Sequence, residues 1–237
     1  MPSLRLSLDY YDIKIDKTIN SPSLDDVMNG CYNTALNPTL AFNDSCAAIQ
    51  RSAQNGSLNG VDAKGVIRPT TNAGNERVSG FDIAANYRVE LADFGWGDVG
   101  RVDLSVNGSI LTKHETQATP VSVLRDCVNY YSVSCGEPKV KQRWNSRATW
   151  TLGDYSASLS WRHLSGVEVE PSETIWFPDY AQIDSYDYFD LSGRWDITQT
   201  VRLTATINNL FDKAPPIVGS QIGTTSANNG NTFPQTY

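Results

Sequence analysis

Val78–Leu91 reads VSGFDIAANYRVEL, and its alternation decides the fold. Phe81, Ile83, Ala85, Tyr87 and Val89 are apolar at every second position, with Gly80, Asp82, Ala84, Asn86, Arg88 and Glu90 between them. A period of two puts successive side chains on opposite faces of a strand, whereas a helical stripe would recur every three to four residues. A face that carries charge meets water. The question is then which medium touches the other face.

The same pattern recurs outward from this stretch in both directions. Leu4–Asp16 sets Leu4, Leu6, Leu8 and Tyr10 against Arg5, Ser7 and Asp9, and its phase changes at Tyr11, where a bulge is expected. Arg101–Lys113 sets Val102, Leu104, Val106 and Ile110 against Arg101, Asp103, Ser105 and Asn107. Lys139–Leu152, Tyr155–Ser165, Tyr186–Ile197 and Thr200–Phe211 continue the series. Trp144, Trp150, Leu159, Trp161, Leu191, Trp195 and Leu203 fall on their apolar phase. The sequence predicts seven strands joined alternately by long segments and short turns, as in an antiparallel up-and-down sheet with all its long connections at one end.

Two long segments hold the four cysteines. Lys17–Glu76 contains Cys31 and Cys46, and His114–Pro138 contains Cys127 and Cys135. Four cysteines allow three pairings, and the local one, Cys31–Cys46 with Cys127–Cys135, would staple one loop each. A four-cysteine zinc site is the rival reading, but the two-residue ligand spacing is missing. Disulfides point to an oxidising compartment. In the first segment, Ser23 with Asp26 forms a capping box for a helix over Ser23–Asn29, with Gly30 as its end. Asp44 or Ser45 would cap a second helix over Cys46–Arg51.

A soluble β-sandwich also alternates, with its apolar face packed on a second sheet. Three features favour lipid instead. The predicted strands are about 11–14 residues long, enough to cross a membrane at a tilt and longer than usual globular strands. Their charges sit almost wholly on one face. Tyr10, Tyr11, Trp150, Tyr155, Tyr186 and Trp195 fall near strand ends, where interfacial girdles form. The fold class expected is therefore all-β: about seven strands of a larger antiparallel transmembrane β-barrel, with long external loops bearing short helices. No run of about 18 apolar residues is present, so no membrane-spanning helix is expected.

Asn208–Pro216, NNLFDKAPP, resembles the end of the penultimate barrel strand in TonB-dependent outer-membrane receptors. DYYDIKI (Asp9–Ile15), GFDIAANYRV (Gly80–Val89), SWRHLSG (Ser160–Gly166), DYFDLSGRWDIT (Asp187–Thr198) and NTFPQTY (Asn231–Tyr237) are similar to other parts of that family's carboxy-terminal third. The resemblance implies one partial barrel domain over residues 1–237, with the family's plug domain, TonB box and final strand absent. It implies a fragment of an active-transport receptor in the outer membrane of a Gram-negative bacterium. Such receptors take up a siderophore, vitamin B12, a glycan or a similar scarce nutrient, with energy supplied through TonB by way of the plug. Seven strands of so large a barrel would leave two unpaired edges, so the isolated chain is expected neither to insert nor to transport.

The composition excludes other classes. A formal net charge of −7 gives no basic footprint for nucleic acid. His114 and His163 are the only histidines, and no serine elbow, HExxH or phosphate loop accompanies them, so no enzyme, cofactor or metal site is expected. An Asn-Asp calcium site within Phe42–Cys46 is outweighed by an ordered turn. The expected partners are outer-membrane lipid, the TonB complex and a small nutrient or oligosaccharide. Tyr32, Tyr130, Tyr131, Trp176 and Phe177 are candidate ligand-stacking residues, with packing inside the loops as the alternative for each. Arg143, Arg147, Arg162, Arg194 and Arg202 are expected to form a lumenal charge ladder with Asp82, Asp103 and Asp190. A secreted, disulfide-bearing β-sandwich that binds carbohydrate is the second hypothesis. A β-sheet hydrolase is the third, lacking a catalytic set.

Overall fold

A computed structural model describes residues 3–120, 122–132, 134–171 and 181–216. Long strands dominate: β1 (Ser3–Asn20), β4 (Thr71–Glu90), β5 (Arg101–Gln117), β8 (Gln142–Leu152), β9 (Tyr155–Leu164), β12 (Tyr186–Asp196) and β13 (Arg202–Ile207). Between them lie the short strands β2 (Ile49–Gln50), β3 (Gly65–Val66), β6 (Arg125–Asp126), β7 (Tyr130–Tyr131), β10 (Val167–Val169) and β11 (Gln182–Ile183). Two helices, α1 (Leu24–Tyr32) and α2 (Asp44–Ala47), occupy the first long connection. The sheet runs in the order β1-β4-β5-β8-β9-β12-β13, each strand beside its sequence neighbour among the long strands. The chain divides into two compact units: Met1–Tyr11, Ser79–Thr112 and Val128–Tyr237 form one, and Asp12–Val78 with Lys113–Cys127 the other.

In the first unit the register carries alternation from strand to strand. Leu104 pairs with Ala148, Ala148 with Leu159, Leu159 with Leu191 and Leu191 with Ile207, a continuous apolar row. One residue along, Asp103, Thr149, Ser158, Ser192 and Thr206 form a polar row on the opposite face. A slip of one residue in any strand would break both rows, so the pattern itself holds the register. The connections 91–100, 153–154 and 197–201 are short and fall at one rim, beside the pairs Arg101↔Thr151, Leu152↔Tyr155 and Asp196↔Arg202. Gly108 makes room for a ring: a Cβ there would stand 2.2 Å from Trp144 Cε3.

Among the described residues no second sheet covers the apolar rows. Leu104, Leu159, Leu191, Leu203 and Ile207 are exposed, and Leu6 on β1 is 72 % exposed. The sandwich hypothesis required these same side chains to be interlocked with another layer, and they are not. The buried apolar cluster lies elsewhere, in the connections. Tyr131, Val140, Val167, Val169 and Ile183 pack together with Leu164 against them. Parallel pairing of β10 with β7 and antiparallel pairing with β11 hold that cluster.

In the second unit, α1 begins with the expected capping box: Asp26 N donates to Ser23 Oγ, and Ser23 N donates to Asp26 Oδ2, both at 3.0 Å. The helix runs through Gly30 to Tyr32 instead of ending there, because Asn33 N still donates to Asn29 O. The second helix starts at Asp44, and its cap is Asn43, whose Oδ1 accepts from Cys46 N. Cys31 and Cys46 are bonded to each other, Cys127 and Cys135 are also disulfide-bonded, and no cysteine is free. That outcome excludes the zinc alternative.

Candidate functional site

The first unit presents two chemically different surfaces. On β5 the apolar phase runs Val102, Leu104, Val106, Gly108, Ile110 and then turns polar at Thr112, which hydrogen-bonds Ser79. Eight residue steps make roughly 27 Å of strand. At a tilt near 40° this spans about 21 Å, close to the apolar band of a membrane barrel. Aromatic rings edge the band. At the short-turn rim, Tyr155 stacks on Trp195 at 5.7 Å, and Trp150 Nε1 donates to Val99 O. At the other end Asp187 breaks the rule that charge stays on the wet face. Its Oδ1 accepts from Trp161 Nε1 at 2.7 Å and lies 2.8 Å from His163 Nδ1. An acid tolerated on the apolar phase at the band's edge, clothed by two rings, marks where hydrocarbon gives way to polar surroundings.

The opposite face is a wall of ion pairs. Arg162 grips Asp190 with two parallel hydrogen bonds of 3.1 Å, and Asn209 N donates to the same carboxylate at 2.8 Å. Arg88 and Arg101 share Asp103, and Arg194 and Arg202 share Asp196. Each bidentate or shared pair fixes long side chains against the sheet, and each exposed one adds little stability. The expected ladder is therefore only partly formed. Among the described residues, Arg143, Arg147 and Asp82 join no ion pair. Their cross-strand neighbours explain this: Arg143 faces Ser109 and Leu164, and Arg147 faces Ser105 and Ser160. Asp196 joins the ladder as well, on the polar phase of β12 two residues beyond Arg194. A cleft of about 340 Å³ on this wall is lined by Asp82, Asn107, Ser109, Arg143 and Asn145, with Asp9.

The segment NNLFDKAPP has a physical reason for its composition. Asn209 adopts φ 51°, and its side chain closes a ring: Oδ1 accepts from Lys213 N and Nδ2 donates to Lys213 O. Leu210 N then donates to Phe189 O, tying the turn to β12. Lys213 lies 4.3 Å over the Tyr186 ring, whose hydroxyl donates to Ala214 O.

The candidate ligand-stacking residues are not equivalent. Tyr32 is exposed and closes α1 next to the Cys31 bridge, in the second unit. Tyr130 and Tyr131 are neighbours on β7 in the first unit. Tyr130 is half-buried, while Tyr131 is 2 % exposed inside the apolar cluster. Burial pushes the Tyr131 hydroxyl above the ordinary phenol range. Trp176 and Phe177 lie outside the described residues. Among the described residues no group of three or more His, Cys, Asp or Glu side chains could hold a metal ion.

A long-stranded antiparallel sheet with a bare apolar face and a charged wet one is the wall of a membrane β-barrel. The chain belongs to the family described as TonB dependent receptor-like, beta-barrel, whose model matches residues 2–210. In structure it is similar to the ferric enterobactin receptor PfeA of Pseudomonas aeruginosa. A variant of that receptor in complex with enterobactin shares 15 % identity and a TM-score of 0.56, over 96 % of this chain and 26 % of the receptor chain. Two further variants give TM-scores of 0.54 and 0.55 at 17 % identity, over 91 % and 94 % of this chain. The chain spans about a quarter of the length of these receptors. Among curated proteins none matches it in sequence.

Proposed function

We propose that residues 1–237 form one segment of the barrel and external loops of an active-transport receptor in the outer membrane of a Gram-negative bacterium. The cargo is a scarce nutrient: a siderophore, vitamin, glycan or similar compound. The structural neighbours, which are ferric enterobactin receptors, favour a siderophore among these. Outer-membrane lipid covers the apolar rows, and TonB supplies the energy. The ligand is held by external loops and by the lumenal wall, with Tyr32 and Tyr130 as the accessible stacking candidates. Trp176 and Phe177 stay in the same role by their composition, while Tyr131 supports the loop from inside. No part of this scheme needs an enzyme's chemistry.

One observation carries the reading. The same strands leave Leu104, Leu159, Leu191 and Ile207 uncovered on one side and order Arg162–Asp190 on the other. A water-soluble domain has no use for such a face, and a lipid-facing wall requires it.

The test is deletion of the reading frame that carries this sequence from its host. Uptake of radiolabelled ferric enterobactin, cobalamin and a glycan panel is then compared with the parent and with a tonB deletion. We expect uptake of one class to fall to the level of the tonB deletion. Parental uptake of every class in the deletion strain would remove the proposal.

A further inference from the structure

Most of the charge on the polar face of the first unit is matched. Arg88 and Arg101 hold Asp103, Arg162 holds Asp190, and Arg194 and Arg202 hold Asp196. The cleft of about 340 Å³ is different. Among the described residues, the side chains of Asp82, Asn107, Ser109, Arg143 and Asn145 make no hydrogen bond or ion pair, and Asp9 accepts only from Ser7 Oγ.

Strand register places these groups. Ser79 against Thr112 and Arg88 against Asp103 share one offset between β4 and β5, so Asp82 falls opposite Ser109. Ser109 pairs in turn with Arg143 on β8, and Asn107 with Asn145. Tyr10 meets Phe81 at 5.1 Å, and the Tyr11 hydroxyl lies where a side chain on Gly80 would begin, so Asp9 of β1 falls beside Asp82. One row across the sheet therefore reads Asp9, Asp82, Ser109, Arg143. Two strand spacings, roughly 10 Å, separate the Asp82 and Arg143 backbones.

Side-by-side carboxylates with no cation between them cost stability. Arg143 is exposed and has no acid at either paired position, facing Ser109 and Leu164. The remaining charges of this face lie off the row. Arg5 lines the adjoining cleft with Arg88, and Glu90 ends β4 at the short-turn rim. Arg147 faces Ser105 and Ser160 further along β8, and Lys141 precedes that strand. The cleft thus holds two acids on one flank and a guanidinium on the other, with amides beside them. A ligand bearing one charge would satisfy one flank, and a neutral ligand neither. A ligand bearing both signs at its two ends satisfies both, and a guanidinium holds a carboxylate through two parallel hydrogen bonds.

We propose that this cleft binds a linear zwitterion of the ω-amino-acid type. Its ammonium lies against Asp9 and Asp82 and its carboxylate on Arg143, with the Asn107 and Asn145 amides along its length. The assignment rests on the proposed reading only in taking the polar face as the lumenal one. Binding is measured apart from uptake, so the failure of either leaves the other standing.

The test uses the whole receptor that carries this sequence, purified in an uncharged maltoside detergent and titrated calorimetrically. The probe is 6-aminohexanoate, with hexylamine and hexanoate as its single-charge counterparts. We expect 6-aminohexanoate to bind about tenfold or more tighter than either counterpart, since charge-assisted hydrogen bonds form at both ends. R143Q should abolish its advantage over hexylamine, and D82N its advantage over hexanoate. R143K should restore part of the R143Q loss, because lysine returns the charge without the planar fork. R147Q is the control and should leave the affinity unchanged. An unchanged urea midpoint establishes that each variant is folded. Equal binding of all three probes would overturn the proposal. So would wild-type affinity in folded R143Q, or a loss in R147Q as large as that in R143Q.

Discussion

Replacing Leu159 by arginine should separate a lipid-facing wall from any water-facing one. Leu159 stands midway along β9 and is flanked by Ala148 and Leu191 on the neighbouring strands. It is 43 % exposed. Burying a whole leucine is worth roughly 1.5–3 kcal/mol, so covering that share with hydrocarbon is worth about 1 kcal/mol. An arginine at the bilayer midplane of a barrel's lipid face adds a penalty of about 2–4 kcal/mol. Together L159R should lose about 3–5 kcal/mol, whereas a surface substitution in water stays within about 0.5 kcal/mol. The matched control is T206R, on the polar row across from Ser192. Both variants would be made in the whole receptor that carries this sequence, unfolded by urea in dodecylphosphocholine micelles and followed by tryptophan fluorescence. A loss below about 1 kcal/mol for L159R, or an equal loss for T206R, would refute the assignment of the two faces.

Three further outcomes follow from the geometry. G108A should destabilise the sheet by about 1–3 kcal/mol in the same titration, because the new methyl collides with Trp144 and overpacked sites seldom relax freely. Reduction of Cys31–Cys46, which closes a loop of sequence separation 15, should cost about 3 kcal/mol of local stability and raise amide exchange in α1 and α2. The folded-state pKa of Tyr131 stands above that of a free phenol, so its contribution is complete below about pH 10. That contribution is lost as pH rises through the folded-state value, and Y131F should flatten the alkaline loss of loop structure in a circular dichroism titration.

Strand existence, face and connection length were legible because each rests on a period of two. The limits of that signal are equally physical. β4 begins at Thr71, seven residues before the expected Val78, because Asn75, Glu76 and Arg77 carry no apolar alternation. In the second unit this end is held by Arg77, whose guanidinium bonds Asp12 at 2.9 and 2.7 Å. β13 stops at Ile207 because Asn209 turns the backbone left-handed. The second helix starts at Asp44 under Asn43 because side-chain geometry chose among three adjacent cap-forming residues. Of the candidate stacking residues, composition could not tell Tyr131 inside a cluster from Tyr130 beside it, since both share one short strand.

By itself the chain's order of residues determined that long two-faced strands would form, pair with their neighbours and expose one greasy side. That choice is local, since side-chain alternation follows from backbone geometry alone. Which arginines found acids, which cap closed α2 and which tyrosine went inside were decided only in three dimensions. Those outcomes depend on residues far apart in the chain meeting across strands and loops, and no periodicity records such meetings.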